Sequence, residues 1–450
     1  MNILNRTIRA SGILTLAVAA ALVLLYTGNA RAQANIPGIT GTSFSFTAGP
    51  GELSTPDGNA VHIWGYQDTT GAANPSGVPQ IPGPTLIVNQ NDEVTVTLTS
   101  TLPFGKCTSM VFPGHAVAVT AGTGDQDGLL TRETCPGGTA VEYTFTATNP
   151  GTYTYYSGTE PELQVEMGLV GALIVRPTGY NDVSNRIAYP GVTYDHEYLF
   201  LTMQMDPRIH VLAEQGRFDE IDTTTYFSTY WFFNGRLAPD IMANAFVSWL
   251  PHQPYNCVPR TTPGAKMLMR VIGADQDQHP FHYHGNNADI IARDGRLLAH
   301  SRSQFTTLTV PGETVDQIFT WTGANLGWDI YGGTDVDMPH TCNGKAVGEP
   351  QDPGAPEFDL VTHEYCADHG KPFPVVLPEQ QNLAFGGWWS GSPYLGSAEQ
   401  LPPGQGGLNP NSGYFFMWHS HREKELTNFD IFPGGMLSMM VVEPPGTPIP

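Results

Sequence analysis

Two short histidine-rich segments carry residues whose types and spacing could support chemistry. HPFHYHG occupies positions 279–285 and WHSHREKE occupies 418–425. Each contains two histidines two positions apart, and residues i and i+2 of a β-strand point to the same face. Imidazole suits copper, zinc, iron and nickel. Two such strands side by side therefore predict a metal site with four nitrogen ligands, from His282, His284, His419 and His421. The alternative is two unrelated histidine pairs on the surface or in the core.

The first 34 residues, 1–34, have the features of a secretory signal peptide. Arg6 and Arg9 give a positive start, the stretch from Ile13 to Tyr26 is apolar, and the small residues near Ala32 offer a cleavage site. The apolar run is too short to favour a membrane-spanning helix, and no second run of spanning length follows it. We therefore expect an exported, periplasmic or extracellular chain with no membrane anchor.

The composition favours strands and argues against some partners. A formal net charge of −22 is unfavourable for binding nucleic acid or an anionic membrane. Charged residues make up only 14% of the chain, and its 50 glycines and 38 prolines suit many short strands joined by turns. No long 3.6-residue periodicity competes. The expected fold class is therefore all-β, with antiparallel β-sandwiches and few short helices.

Five cysteines follow the predicted signal peptide, and in an oxidising compartment they should pair where geometry allows. Cys107 and Cys135 form the only available pair if the first half keeps its bridges internal. Cys257, Cys342 and Cys366 share the second half, which leaves one of them odd. The sequence does not fix which two pair.

Three blocks of the first half recur in the same order in the second half. The aligned blocks are MVFPG (110–114) with FHYHG (281–285), YYSGTEPEL (155–163) with WHSHREKEL (418–426), and GLVGALIVRP (168–177) with GGMLSMMVVEPP (434–445). Agreement at one block would carry little weight, but three in order predict two related domains. We place them at 35–180 and 181–450.

The second copy has a much longer spacing between its first two blocks than the first copy. The excess lies mostly within residues 323–412, which are rich in Gly, Pro, Asp and Glu and contain two cysteines. We interpret this stretch as a loop insertion stapled by a disulfide, and a loop of this length is usually functional. Two side-chain groups in it could bind a cation, although a solvated loop is the simpler interpretation: Asp335, Asp337 and His340, and His363, Glu364 and His369.

These segments together resemble the multicopper oxidase family of cupredoxin-domain proteins, which includes laccases. The resemblance rests on IPGPTLIV, PGTYTYYSG, GLVGALIVRP, WFFNGR, HPFHYHG followed by ARDG, and the HSH block. It spans nearly all of the chain after residue 34 except the insertion, and HPFHYHG is close to the specific HPxHxHG signature of the family. The resemblance implies tandem cupredoxin-like Greek-key β-sandwiches with copper as the cofactor. The imidazole ligands themselves leave zinc as the alternative ion.

The family motifs imply a role for each histidine. In the family, the first histidine of HPxHxHG binds a type 1 copper, and the next two bind a three-copper cluster where dioxygen is reduced. By resemblance, His279 is the type 1 ligand, and His282 and His284 are cluster ligands. His419 and His421 match the cluster histidines of the family's HCHxxxH motif.

The chain also departs from the family pattern. Ser420 stands where the family has the type 1 cysteine, and a serine hydroxyl cannot replace the thiolate of a blue-copper site. Glu425 stands at the third histidine of the same motif. We interpret it as a charged residue near a strand end, with an extra metal ligand or the orientation of an imidazole as the alternatives. Four imidazoles expected in the first domain are replaced by Val111, Pro113, Tyr156 and Gly158.

Two functions from different classes are consistent with this ligand set. The first is an exported copper-binding protein of the multicopper oxidase family, an oxidoreductase with a reduced copper complement and no type 1 blue site. The second is a non-enzymatic cupredoxin-like scaffold that sequesters copper or has a structural or interaction role outside the cell. By analogy with two-domain members of the family, the chain could assemble as a homotrimer, and the sequence does not specify the oligomeric state. The sequence specifies neither the small-molecule substrate nor a catalytic residue.

Overall fold

The structure is a computed structural model, and it describes residues 36–71, 77–324, 326–329, 340–346, 348–372, 391–394, 413–443 and 445–449. The predicted signal peptide and much of the predicted insertion lie outside these residues, as do Asp335 and Asp337. No helix in the described ranges is both long and apolar enough to cross a membrane.

The N-terminal sandwich consists of two sheets with the strand orders β1-β4-β11-β10 and β3-β2-β5-β9-β6, and β7 pairs with β8 beside them. Strand β5 shows why these segments become strands. Its threonines alternate with buried Val94, Val96 and Leu98, so one face of the strand enters the core. The strands are β1 Ile39–Thr40, β2 Ser43–Ser54, β3 Ala60–Asp68, β4 Gly83–Asn89, β5 Glu93–Ser100, β6 Ala118–Val119, β7 Gln126–Asp127, β8 Arg132–Glu133, β9 Val141–Thr146, β10 Gly151–Tyr156 and β11 Val170–Arg176.

The C-terminal sandwich consists of two larger sheets with the orders β15-β14-β17-β22-β19-β20 and β16-β27-β26-β18-β21, and β25 also pairs with β26. Two short hairpins, β12-β13 and β23-β24, lie outside these sheets. The strands are β12 Ile187–Tyr189, β13 Val192–Thr193, β14 His196–Met205, β15 Tyr230–Phe233, β16 Arg260–Thr261, β17 Lys266–Gly273, β18 His279–Tyr283, β19 Ala288–Arg293, β20 Arg296–Gln304, β21 Thr306–Thr309, β22 Thr314–Thr320, β23 Thr341–Cys342, β24 Lys345–Ala346, β25 Gly391–Tyr394, β26 Gly413–Ser420 and β27 Leu437–Val442.

Helices are few and short, as the sequence predicts. Within the described residues, the α-helices are α1 Pro161–Gln164 and α2 Pro207–Glu214. Helix α2 begins after Asp206, whose carboxylate accepts a hydrogen bond from the Arg208 amide and so caps the helix. The 3-10 helices are Pro103–Gly105, Phe218–Glu220, Thr223–Thr225, Asp240–Met242 and Glu423–Leu426.

The two sandwiches share a buried interface. One apolar cluster combines Ile63 and Ile174 of the N-terminal sandwich with Leu201 and Phe232 of the C-terminal one. Beside it, the fully buried Glu197 carboxylate accepts hydrogen bonds from the guanidinium groups of Arg176, at the end of β11, and Arg270, on β17. Such ionic groups are tolerated in a core only when they satisfy one another. The interface thus joins the halves by apolar burial and a buried ion network.

The all-β fold is confirmed, and the disulfides resolve what the sequence left open. Cys107 is bonded to Cys135 and Cys342 to Cys366, and buried Cys257 is the odd cysteine. The insertion is therefore stapled by a disulfide as predicted. It also contributes β25 to the main sheet, which an interpretation as loop alone did not foresee. The domain boundary drawn between residues 180 and 181 stays a prediction.

Candidate metal centre

The two histidine-rich segments form neighbouring antiparallel strands, β18 and β26. His282 lies directly opposite His419 in this pair, so the two imidazoles project from the same face of the sheet. The aromatic residues on either side of them alternate to the other face, where Phe281, Tyr283 and Trp418 are buried in the core of the C-terminal sandwich. The alternation of buried aromatic residues and histidines therefore fixes the register of both strands.

Three imidazoles converge on one buried point. The ring centroids of His282 and His284 are 4.9 Å apart, those of His282 and His419 are 5.5 Å apart, and those of His284 and His419 are 5.1 Å apart. Nε2 of His284 lies 3.1 Å from Nε2 of His419. One nitrogen from each ring lies within 4.8 Å of the other two, and all three residues are buried. This is a spacing that a single ion could bridge.

The hydrogen bonds of the rings show which nitrogen of each imidazole is available to bind a metal. Nδ1 of His282 donates to the Phe305 carbonyl and the Thr306 hydroxyl, each at 2.9 Å. Nδ1 of His419 donates to the Ser420 carbonyl at 2.6 Å. These bonds place the proton on Nδ1, which leaves Nε2 as the lone-pair atom. Nε2 of His282 is buried and has no hydrogen-bond partner among the described residues, as expected of a side chain that a metal ion would satisfy.

The electrostatics keep these rings neutral. Burial lowers the pKa of His282 to about 4, and the neighbouring His419 and His421 act in the same direction. Burial also lowers the pKa of His419. A metal-binding imidazole must be unprotonated. His282 and His419 are therefore in their ligand form at neutral pH.

His421 lies at the rim of this cluster. Its ring centroid is 4.9 Å from that of His282 and 5.6 Å from that of His419, but its side chain is 41% exposed. Strand β26 ends at Ser420, so the alternation that orients His419 does not extend to His421. Three imidazoles therefore form the buried group, and the fourth predicted ligand borders its exposed side. Three protein ligands leave a coordination position open.

The structure does not bring His279 into this group. It lies three residues before His282 on β18 and therefore faces the other side of the sheet. Its Nδ1 donates to Glu425 at 2.9 Å and its Nε2 donates to Asp275 at 2.8 Å. Both nitrogens carry protons in this arrangement, so His279 is an imidazolium. Burial opposes this charge, but the two carboxylates prevail and raise the pKa of His279 to about 10.

Ser420 and Glu425 complete the surroundings of His279. The same Glu425 oxygen, Oε2, accepts hydrogen bonds from His279 Nδ1 and from the Ser420 hydroxyl. Glu425 is only 1% exposed, so its interpretation as an ordinary charged residue at a strand end is wrong. The alternative, a carboxylate that orients an imidazole, fits this geometry. Met436 is also buried, and its amide donates to the Glu425 carbonyl.

The corresponding place in the N-terminal sandwich has the same backbone and different chemistry. Val111 and Tyr156 exchange backbone hydrogen bonds across antiparallel chains, in the manner of His282 and His419. A Cβ added at Gly158 would lie 2.8 Å from the Val111 side chain, which leaves no room for an imidazole there. Within the described residues, no group of His, Cys, Asp or Glu with metal-ligand spacing forms around these positions.

A second group of ligand-type residues lies in the insertion. His340, Glu364 and His369 come together although the sequence analysis assigned them to two separate groups. The disulfide between Cys342 and Cys366 joins the two segments that carry them. Because the sequence leaves that pairing open, no sequence signal could have assembled this group.

Comparisons with known proteins find similarity to copper enzymes. Residues 76–179 match a family model described as multicopper oxidase. The chain is 25% identical over 317 residues to a copper-containing nitrite reductase from Pseudomonas chlororaphis, and the match covers 67% of this chain and 77% of that protein.

Two solved structures share the architecture at low sequence identity. One is a blue copper oxidase from Nitrosomonas europaea, with a TM-score of 0.52, 17% identity and coverage of 89% of this chain and 85% of that one. The other is the multicopper oxidase mgLAC, with a TM-score of 0.52, 18% identity and coverage of 91% and 87%. The tandem cupredoxin-like fold predicted from the sequence is confirmed. Together with the match at residues 76–179, it confirms the resemblance of this chain to the multicopper oxidase family.

Proposed function

We propose that this chain is an exported copper-binding protein of the multicopper oxidase family that binds one copper ion through His282, His284 and His419. The observation that carries this proposal is the convergence of three buried imidazoles on one point. Their Nδ1 hydrogen bonds fix the orientation of two of the rings before any ion arrives. The known proteins that the chain resembles contain copper by name, which favours copper over zinc.

The site has an exposed side at His421. Bound copper would supply one-electron redox chemistry and a free coordination position. The half-exposed His421 borders that side, with its ring centroid 4.9 Å from that of His282. From there its imidazole can exchange a proton with a small-molecule substrate. We therefore favour an oxidoreductase role in which His421 positions or protonates the substrate.

We further propose that the chain has no type 1 blue site. The position between His279 and Ser420 is filled by the Glu425 carboxylate, which binds both side chains. A blue-copper site needs a cysteine thiolate with two imidazoles, and here the thiolate and one imidazole are replaced by hydroxyl and carboxylate. The His279 ring is held in its protonated form, in which it has no lone pair for a metal.

Copper analysis with matched variants tests the proposed site. We expect the copper-loaded wild type to contain one equivalent more copper than His419→Ala, and its electron paramagnetic resonance spectrum to report an isolated copper in a nitrogen environment. His300→Ala, which removes an exposed imidazole on β20, should retain the wild-type copper content. Equal copper contents in His419→Ala and the wild type would refute the assignment. An intense blue absorption in the wild type would refute the absence of a type 1 site.

The second candidate function is a non-enzymatic copper-sequestering scaffold. The N-terminal sandwich favours it, because Val111 and Tyr156 occupy the positions that correspond to two of the histidines. Dioxygen consumption with phenolic substrates distinguishes the two functions. The oxidoreductase proposal with a reduced copper complement predicts slow, copper-dependent turnover that is lost in His419→Ala. A copper-replete protein with no turnover on any tested reductant supports the scaffold.

Export and assembly are also part of the proposal. Expression of the full chain with its native N-terminus should yield a periplasmic or secreted product that is shorter by 32 or 34 residues, as measured by intact mass. Light scattering of that product should give the mass of a trimer. Retention of residues 1–34 on the isolated protein would contradict the signal-peptide assignment.

A further inference from the structure

The insertion holds three metal-ligating side chains that the proposed copper site does not use. His340, Glu364 and His369 are between 3% and 9% exposed. His340 Nε2 lies 3.3 Å from Glu364 Oε1, and His369 Nε2 lies 3.6 Å from the same oxygen. One ligand atom from each residue lies within 4.8 Å of the other two.

These distances fit shared coordination better than direct hydrogen bonding. A charge-assisted N–H···O bond is normally about 2.7–2.9 Å long, so both separations are long for one. Two ligands about 2.0–2.1 Å from a tetrahedral ion are about 3.3–3.4 Å apart. The observed separations of 3.3 Å and 3.6 Å are close to that value.

Unsatisfied atoms point the same way. Both ring nitrogens of His369 and the Oε2 atom of Glu364 are buried and have no hydrogen-bond partner in the part of the chain that the structure describes. A buried polar group without a partner typically costs about 1–3 kcal/mol. Coordination would satisfy a nitrogen of His369 and the carboxylate together.

The backbone around the group is well anchored. Cys342 and Cys366, two residues from His340 and Glu364 respectively, form the disulfide. The Tyr365 amide donates to the Thr322 carbonyl, which ties this segment to the end of the C-terminal sandwich. The His369 amide donates to the Cys366 carbonyl. The three ligand positions are therefore fixed by covalent and hydrogen bonds that need no metal.

We propose that His340, Glu364 and His369 form a second metal site, which takes a divalent transition-metal ion of the imidazole-preferring class and cross-links two segments of the insertion. Two imidazoles and one carboxylate are a ligand set that Zn²⁺ uses. The neighbouring thiols do not compete for the ion, because Cys342 and Cys366 are bonded to each other. This inference is independent of the proposed copper site.

Zn²⁺ titration of the full chain in a His282→Ala/His419→Ala background tests the site, because that background removes two of the three proposed copper ligands. We expect one equivalent of Zn²⁺ to bind by calorimetry and to raise the melting temperature. Glu364→Gln should weaken Zn²⁺ binding at least 100-fold. His363→Asn is the matched control, since His363 is exposed beside Glu364 and Asn tolerates its positive φ of 59°. It should bind Zn²⁺ as the background protein does.

Two results would overturn the site. One is the absence of Zn²⁺ binding in the background protein, and the other is unchanged affinity in Glu364→Gln. If Glu364→Gln does not fold, His369→Gln replaces it, with the same expected loss of Zn²⁺ affinity.

The Co²⁺ absorption spectrum of the background protein is a second test, which requires no further variant. Intense visible bands of four-coordinate Co²⁺ support the site, and the weak spectrum of hydrated Co²⁺ contradicts it. The copper content of His419→Ala relative to the wild type tests the proposed copper site alone. A failure of the copper site and a failure of the second metal site can therefore be distinguished.

Discussion

His282 and His419 lie directly opposite each other on β18 and β26, and Val111 and Tyr156 are paired in the same way in the N-terminal sandwich. The shared backbone pairing explains why the two halves align in sequence while only one of them carries imidazoles. It also means that ligand identity, and not strand geometry, separates the two halves. The metal chemistry that we propose for the chain therefore depends on a few side chains on a common scaffold.

The hydrogen bonds to Nδ1 of His282 lead to a first prediction. Thr306→Val removes the hydroxyl acceptor but keeps the Phe305 carbonyl, so the ring is held less firmly. Loss of a partner that orients a metal ligand typically costs about 10–100-fold in affinity. With one acceptor retained, we expect copper affinity to fall about tenfold in a competition titration.

Thr306→Ser is the matched control for that experiment, because it keeps the hydroxyl and removes only a methyl group. Its copper affinity should equal that of the wild type. An equal loss of affinity in the serine and valine variants would show that packing at this position matters and the hydroxyl does not.

The surroundings of Glu425 lead to a second prediction. The double variant Ser420→Cys/Glu425→His would place a thiolate and a second imidazole beside His279, with Met436 buried nearby. A thiolate with two imidazoles is the ligand set of a blue-copper site. We expect the copper-loaded double variant to show an intense thiolate-to-copper absorption that the wild type lacks.

Ser420→Cys alone serves as the control for the double variant. It keeps the Glu425 carboxylate between His279 and the new thiol, and it should therefore stay without the blue absorption. Intense blue absorption in Ser420→Cys alone would mean that Glu425 does not occupy the position of a type 1 copper. Our explanation for the absence of that site would then be wrong.

Strand alternation made part of the site predictable from the sequence. The spacing of His282, His284 and His419 was sufficient to predict a shared face, because all three lie on or beside paired strands. His421 behaves differently because β26 ends one residue before it. Its partial exposure depends on where a strand ends, which composition and spacing do not specify.

The remaining features depended on long-range contacts. Glu425 is buried because His279 and Ser420 both bind it, and their positions relative to each other follow from the pairing of β18 with β26. The group of His340, Glu364 and His369 depends on a disulfide that the sequence left open among three cysteines. Local pattern fixes a strand face, but it does not fix which distant segments meet.

The proton on His279 leads to a third prediction. The pKa of His279 is about 10 in the folded protein against 6.5 ordinarily, so folding strengthens proton binding. The resulting stabilisation is complete below pH 6.5 and is lost as the pH rises towards 10. Burial raises the pKa of Asp275 to about 6, so its own titration lies below this window. We expect the free energy of unfolding to fall between pH 6.5 and 10, and to fall less in Asp275→Asn.

Imidazole nitrogen shifts in NMR spectra test the same proton directly. The His279 ring should stay in the imidazolium form at pH 8. His196 is the internal contrast, because burial lowers its pKa to about 4 and its ring should stay neutral over the same range. Titration of His279 near pH 6.5 would contradict its pairing with Asp275 and Glu425.

The ion network at the sandwich interface leads to a fourth prediction. Burial opposes ionisation of Glu197, but Arg176 and Arg270 prevail and lower its pKa to about 2. Glu197→Gln would leave two buried guanidinium groups without their shared counter-charge, and removal of one partner from a buried ion pair typically costs about 3–5 kcal/mol. We expect the free energy of unfolding, measured in urea, to fall by that amount.

Glu220→Gln is the control for Glu197→Gln, because Glu220 pairs with Arg217 on the surface, where such a pair contributes about 0–1 kcal/mol. Equal, small losses in the two variants would show that apolar burial alone joins the sandwiches and that the ion network adds nothing to their stability.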